Sequence, residues 1–194
     1  MAMKFTQVAT DAFQKLQLNA GVLLTEFDPA SPTLDKTKIF AATGGGTSFT
    51  ATPEFIDFAE DIDNVPSNTM QMKQIDYYTC TMSGTAKTVD TTVAKTLIGA
   101  ADIDGTDTTK VVPRSVLKSS DFSDIWWVGD YSDEHGTNGG FVAIKLKNAL
   151  NTGGFQIQSN DNGKGDFAFE FTGHYDLTNI DTVPFELYIK AGTN

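Results

Sequence analysis

Phe49-Thr50-Ala51-Thr52-Pro53-Glu54-Phe55 is the stretch that decides the fold, because residues of two kinds alternate along it. Such alternation places one set of side chains on a buried face and the other in water, as in a half-buried β-strand. Pro53 has no amide donor, so this strand is expected near a sheet edge or at a bulge. The alternation slips by one residue at Phe55-Ile56 and again at Tyr77-Tyr78 in the next strand, predicted over residues 73–85. Matched slips predict two antiparallel partners that bend together, with a turn-rich tip at residues 60–68.

The rest of the chain shows further strands around one helix. Asp90 is a capping residue type, and Val89, Val93 and Leu97 recur at helical spacing, which predicts a helix over residues 90–101. Periodicity disappears over residues 28–48, which predicts a long loop that contacts a neighbouring molecule. The remaining predicted strands cover residues 21–24, 111–113, 125–128, 141–146, 154–159, 167–174 and 184–190.

A chain of 194 residues with these elements is expected to form one domain over residues 1–194. Its hydrophobic fraction of 40%, with 14 Phe, is enough for a core. The predicted fold class is mainly β, an antiparallel β-sandwich or barrel with one flanking α-helix and long extended loops. The lone Cys80 cannot form an intramolecular disulfide, and we interpret it as a small core side chain.

The charge of the chain disfavours binding to nucleic acid. Twenty-five acidic and 14 basic residues give a net charge of -11, and Arg114 is the single arginine. A surface that grips phosphate needs clustered lysine and arginine. The first residues lack the apolar core of a secretory signal, and no apolar stretch is long enough to span a bilayer. These features predict a soluble protein made in the cytoplasm.

No residue pattern typical of catalysis or metal binding occurs in the sequence. Residues 102–107 resemble a calcium loop, but the glycine comes two positions too early and no glutamate stands at the twelfth position. A polar turn is the better interpretation there and at residues 160–166. The two histidines, His135 and His174, have no partners at a ligand spacing. We therefore expect no enzyme activity, no metal and no cofactor.

Two acidic clusters contain no basic residue. Their members are Glu54, Asp57, Glu60, Asp61 and Asp63 in the first, and Asp121, Asp124, Asp130, Asp133 and Glu134 in the second. Like charges that lie so close must face water. The clusters indicate either a surface that promotes solubility or a surface past which a polyanion moves without binding.

Six segments occur in an order found in one known protein family. They are the hairpin strands at residues 49–58 and 77–85, the helix at residues 91–98, and the segments 124–131, 140–155 and 163–175. In their amino-acid sequences and in their order along the chain, they resemble the major tail tube proteins of tailed bacteriophages, most closely those of long-tailed, siphovirus-type phages. The resemblance covers roughly residues 18–190 and implies a fold shared in outline with the tube protein of type VI secretion.

The resemblance also implies an assembly and a location. Six copies would close a ring, and rings would stack into a hollow tail tube through which DNA is ejected into the host without specific binding. Ring closure removes exposed sheet edges, and head-to-tail stacking produces a filament. The implied location is the virion tail, after assembly in the host cytoplasm and without membrane contact. The implied partners are further copies of this chain, a tape-measure protein, a tail terminator and baseplate or tail-tip proteins.

Alternation and loop position give candidate residues for this assembly. An acidic wall lets DNA slide, whereas a basic wall holds it. Residues expected to face the lumen are Glu54, Asp57, Asp76, Gln156, Gln158 and Glu170. Residues expected at the ring-to-ring contact are Lys36, Lys38, Phe40, Gly44, Gly45, Gly46, Glu60, Asp61, Asp63 and Asn64.

Two other functions remain open on the sequence alone. The first is a carbohydrate-binding β-sandwich of a tail tip or cell surface, in which Trp126, Trp127 and Tyr131 stack on a sugar. Adjacent strand residues point to opposite faces, so at most one tryptophan joins such a platform. The second is a metal-dependent enzyme built on the scattered carboxylates.

Overall fold

The computed structural model describes residues 8–9, 12, 15–131 and 140–191, and most of its regular structure is β-strand. The strands are β1 (Gln17–Leu24), β2 (Ile39–Ala41), β3 (Thr43–Asp57), β4 (Lys73–Ala86), β5 (Ala101–Ile103), β6 (Val111–Pro113), β7 (Ser123–Tyr131), β8 (Gly140–Asn151), β9 (Phe167–Thr172) and β10 (Phe185–Lys190). The helix α1 spans Thr91–Ile98. Asp133, Glu134 and His135, named above, lie outside the described residues.

Two antiparallel sheets share the long strand β8. The first sheet has the order β2-β1-β7-β8-β10, and the second runs from the end of β8 through β9 and β4 to β3. Residues Phe141 to Leu146 of β8 pair with both β7 and β10, whereas Leu150 and Asn151 pair with β9. Between these two stretches Asn148 adopts a φ of 46°, where the strand passes from one sheet to the other. The predicted antiparallel β-sandwich with one flanking helix is confirmed.

The main core lies between the two sheets and beneath α1. Its fully buried side chains include Met82, Leu97, Ile125, Leu146 and Phe171. Cys80 is also buried there, as expected, and burial raises the pKa of its thiol to about 11. A second cluster on the opposite face of the first sheet contains Leu24, Trp126, Phe141 and Ala143, with Phe27 packed against it.

The hairpin of β3 and β4 extends beyond the sandwich. β4 pairs with β9 only over Thr81 to Ala86, while its pairing with β3 continues outward to the Asp57–Lys73 pair. The register shifts where Glu54 pairs with Tyr77 and Phe55 pairs with Ile75, which leaves Asp76 as an extra residue. This bulge lies beside the predicted slips at Phe55-Ile56 and Tyr77-Tyr78, and Pro53 lies on an edge strand as expected. Residues 53–78 are called the hairpin arm below, and residues 58–72 are its tip.

Helix α1 is shorter than the predicted range of 90–101. Asp90 caps it, since its Oδ1 accepts a hydrogen bond from Val93 N at 2.8 Å. Gly99 ends it with a φ of 84°, a conformation that favours glycine. Residues 101–103 therefore belong to strand β5 and not to the helix.

Two other sequence-based expectations are wrong in part. Residues 28–48 are not one long loop, because they contain β2 and the first residues of β3. Residues 154–159 form no strand, and their pairing is limited to one bridge between Gln158 and Asp166. The alternating Phe155 and Ile157 that suggested a strand are both exposed.

Candidate functional site

The outward surface of the second sheet is lined by hydroxyl groups. On β3, β4 and β9 the residues that alternate with the core side chains all face away from the core. This hydroxyl face consists of Ser48, Thr50, Thr52, Glu54, Thr79, Thr81, Ser83, Thr85, Ala168, Glu170 and Thr172. Each is exposed or half-buried, whereas the alternate residues Cys80, Met82, Phe169 and Phe171 are buried.

The charge of the hydroxyl face is mainly negative. Glu54 and Glu170 are its exposed charged members, and at its Thr85 end Lys87 lies over Gly44 and forms an ion pair with Asp166. The backbone of Glu170 is fixed, because its N–H donates to Asn151 Oδ1 at 2.8 Å. A surface of hydroxyls with two carboxylates hydrates readily and offers no unpaired cation for phosphate.

The predicted lumen residues fall in three places. Glu54 and Glu170 lie on the hydroxyl face. Asp57 and Asp76 belong to the hairpin arm, where Asp76 is the bulge residue. Gln156 and Gln158 lie in the irregular segment after β8, where the predicted strand is absent.

Asp57 has a structural role in the arm. Its two carboxylate oxygens accept hydrogen bonds from Asn68 N at 2.6 Å and from Ala59 N at 3.0 Å. These backbone hydrogen bonds, from Asn68 and then Ala59, lower the pKa of Asp57. The carboxylate therefore fixes the turn at the tip of the arm.

The hairpin arm exposes large apolar side chains on both of its strands and on its tip. Between 37% and 79% of each of these residues is exposed: Phe55, Ile56, Phe58, Ile62, Met70, Ile75 and Tyr77. The tip also carries Glu60, Asp61 and Asp63, all exposed. Most apolar side chains of this size are buried in a folded chain, so a cluster on one projection indicates a contact surface.

The predicted ring-to-ring residues divide into exposed and buried groups. Glu60, Asp61, Asp63 and Asn64 are exposed at the arm tip, and Lys36 is exposed before β2. Lys38 is half-buried and forms an ion pair with Glu26 at 2.6 Å. Gly45 and Gly46 adopt φ values of 79° and 85° beside open space, and Gly44 lies against the side chain of Lys87.

Phe40 is a correction to that list. Phe40 is only 7% exposed, and its ring packs edge to face against Phe171 with 5.6 Å between the ring centroids. The three-residue strand β2 pairs with β1 and turns Phe40 into the core, so it is not available to a second copy of the chain.

The single arginine is used inside the fold. Arg114 Nε lies 2.8 Å from Asp102 Oδ2, and Nη2 lies 2.5 Å from Asp121 Oδ1. Burial alone would raise the pKa of Asp121, but hydrogen bonds from Lys118 N and Arg114 outweigh it and lower the pKa. The guanidinium is therefore not free to bind a phosphate backbone.

The two tryptophans also serve the fold. Trp126 is only 6% exposed, with Phe27 against one edge and Lys145 Nζ over its ring. Trp127 is half-buried, and its Nε1 donates to Ala20 O at 3.0 Å. Trp126 therefore has no free ring face for a sugar, whereas Trp127 and Tyr131 are half-buried.

Neither metal ligands nor a membrane helix are found in the described residues. Within them, no three His, Cys, Asp or Glu side chains are grouped so that they could hold a metal ion. The same part of the chain has no helix with the length and apolar character needed to cross a bilayer.

Comparison with known proteins leaves the family open. The sequence matches no protein-family model and no curated protein. One similar solved structure is a chain from the "Virion of native gene transfer agent (GTA) particle", with 11% identity. The alignment covers 89% of this chain and 96% of that chain, at a TM-score of 0.42. A likeness at this level identifies neither a family nor a function.

Proposed function

We propose that this chain is a structural subunit of a phage-like virion, in which copies close into six-membered rings that stack into a hollow tail tube for DNA. The observation that carries the proposal is the hairpin arm, which projects from the sandwich with apolar side chains exposed. An isolated two-stranded hairpin is marginally stable in water. Contacts with further copies would cover these side chains and hold the arm in place.

Open sheet edges support an assembly of identical copies. β10 pairs with β8 on one side, and its Leu187 and Ile189 side chains are exposed. β3 is the edge strand of the other sheet. Such edges accept a strand from another chain, and a closed ring in which sheets continue from copy to copy leaves none free.

The hydroxyl face supports a role as the wall of the tube. DNA binds to surfaces that replace its counterions with lysine and arginine. This face carries hydroxyls and two carboxylates, its one bordering lysine, Lys87, is neutralised by Asp166, and the single arginine of this chain of net charge -11 is used internally. DNA would slide along this wall.

Stacked rings need other proteins to set their number. Head-to-tail contacts repeat without a limit of their own. A tape-measure protein, a tail terminator and tail-tip or baseplate proteins are the partners that this proposal includes.

Shortening the arm tests the proposal. Residues 58–72 would be replaced by Asn-Gly, which closes a two-residue hairpin after the Asp57–Lys73 pair. We expect the purified wild-type chain to form rings or hollow rods in negative-stain micrographs. The shortened variant should sediment as a folded monomer with an unchanged β-sheet circular dichroism spectrum. A wild-type chain that remains monomeric at high concentration would overturn the proposal.

A further inference from the structure

A cleft of about 450 Å³ opens between the segment before β7 and the segment after β9. Its walls include Leu117, Phe122, Tyr175 and Leu177, together with Lys118 and His174. The Phe122 and His174 rings meet edge to face at 5.1 Å and form part of the wall. This volume lies within the range of about 300–1,000 Å³ that is usual for binding sites.

The cleft lies at the root of the hairpin arm. Tyr175 lines the cleft, and its hydroxyl accepts a hydrogen bond from Tyr78 N at 2.8 Å. Tyr78 lies outward of Thr81, the outermost residue of β4 that pairs with β9. The amide N–H of Tyr78 therefore has no partner in β9 and donates to Tyr175 instead. One side chain thus belongs both to the cleft and to the base of the arm.

The rim of the cleft is apolar and exposed. Leu177 is 92% exposed and Leu117 about half exposed. The arm tip carries side chains of matching character, since Met70 is 79% exposed and Phe58 and Ile62 are nearly half exposed. Mutual burial of these two surfaces would remove both from water.

The cleft offers lysine donors to an acidic tip, although carboxylates already balance its lysine charges. Lys118 and Lys147 lie at the cleft and at the recess beside it, and each binds one carboxylate, Asp102 and Glu186 respectively. An ammonium group has three donors, so each lysine retains donors for a second acceptor. The Asp176 carboxylate faces its own turn, where Oδ1 accepts from Thr178 N and Oγ1.

The arm tip supplies acceptors that the described fold does not use. Among the described residues, no lysine or arginine lies within ion-pair distance of Glu60, Asp61 or Asp63. A lipid surface would bury the carboxylates of the tip without partners, because they alternate with its apolar side chains. A cleft with leucines and lysines can contact the apolar side chains and also donate hydrogen bonds to the carboxylates.

We propose that the arm tip of one copy docks into this cleft of the next copy. This inference rests on the proposed self-assembly and specifies which two surfaces make the contact. The tip and the cleft are different surfaces of the same chain, so the contact is head to tail, which either closes a ring or repeats along a filament.

Disulfide trapping between copies tests the docking. A Met70→Cys variant would be mixed with a Leu177→Cys variant of different tag length and oxidised under conditions where the wild-type chain forms particles. We expect mixed disulfide dimers to exceed the homodimers severalfold on a non-reducing gel. Cys80 will not compete, because it is buried and its pKa is raised to about 11.

The matched control is Ile180→Cys in place of Leu177→Cys. Ile180 is exposed in the same segment but does not line the cleft. Its mixture with the Met70→Cys variant should give a statistical distribution of dimers. Particles that form without mixed Met70–Leu177 cross-links would overturn the docking and leave the proposed function standing. The absence of both particles and cross-links would overturn both proposals.

Discussion

Asn151 is the buried polar side chain that joins three elements of the fold. It is 5% exposed. Its Nδ2 donates to Leu97 O at 2.5 Å, at the end of α1, and to Gly154 O at 2.9 Å after β8. Its Oδ1 accepts from Glu170 N on β9 at 2.8 Å. These three hydrogen bonds all go to backbone groups, so the side chain fixes the helix relative to both sheets.

Replacing Asn151 tests this role. We expect Asn151→Ala to lower the free energy of unfolding by about 2–3 kcal/mol, because buried backbone groups lose their partners. Urea unfolding followed by tryptophan fluorescence measures the change. Asn160→Ala is the control, since Asn160 is exposed and its side chain donates one hydrogen bond, to Lys164 O. Equal losses in the two variants would contradict the assignment.

At the level of elements, the β5–β6 hairpin is fastened to the turn before β7 by Arg114. The guanidinium binds Asp102 and Asp121, and Asp121 is 1% exposed at its side chain. The pKa of Asp121 is lowered, as is the pKa of Asp102, where the hydrogen bond from Lys118 is the largest cause. A carboxyl group with a lowered folded-state pKa stabilises the fold above its unfolded pKa, and this stability is lost as the pH falls through the folded value.

The prediction concerns Asp121→Asn, which removes the charge and keeps the shape. Its free energy of unfolding should lie below that of the wild type at pH 7. The difference should shrink as the pH falls below about 4, the ordinary pKa of an aspartic acid, because the wild-type carboxyl then becomes neutral as well. Urea titrations from pH 7 to pH 2 test this. Asp181→Asn, at an exposed position, should leave the whole profile unchanged.

Elements with a long, regular pattern could be predicted from the sequence, and short ones could not. The β3–β4 pair and its bulge were readable because alternation persists over many residues on both strands. β2 has three residues, too few for a period, and its place beside β1 is set by tertiary packing of Phe40 and Ala41. Residues 154–159 have a strand pattern but find only one bridge.

The candidate surfaces were predictable to a similar extent. Glu54 and Glu170 follow from alternation within strands. The Ser and Thr positions of the hydroxyl face were missed, although Thr79, Thr81, Ser83 and Thr85 alternate in the sequence, because uncharged hydroxyls suggested no function. The cleft is formed by segments that are more than fifty residues apart in sequence, and no local sequence pattern predicts such a long-range contact.

For the whole molecule, charge and surface act together. The one lysine at the border of the hydroxyl face, Lys87, is paired with Asp166, and several lysines elsewhere also bind carboxylates, as Lys38, Lys110 and Lys145 do. A surface without unpaired cations retains its hydration and releases no counterions from DNA, so contact with the duplex gains nothing.

Charge reversal on the hydroxyl face tests this property. We expect the double variant Glu54→Lys and Glu170→Lys to assemble as the wild type does but to bind a labelled DNA duplex, with an affinity that falls as salt is raised. Fluorescence anisotropy measures the binding. The control, Asp161→Lys with Asp181→Lys, makes the same change in net charge at exposed positions off this face. Equal binding by the control would show that position on the face is irrelevant.

The passage of β8 through both sheets has a mechanical consequence. A load applied to one layer reaches the other along a continuous covalent backbone, so the layers cannot slide apart by loosening of side chains alone. Separation would require β8 to lose its strand hydrogen bonds to one sheet, on one side of Asn148 or the other. The two layers are therefore expected to move as one body.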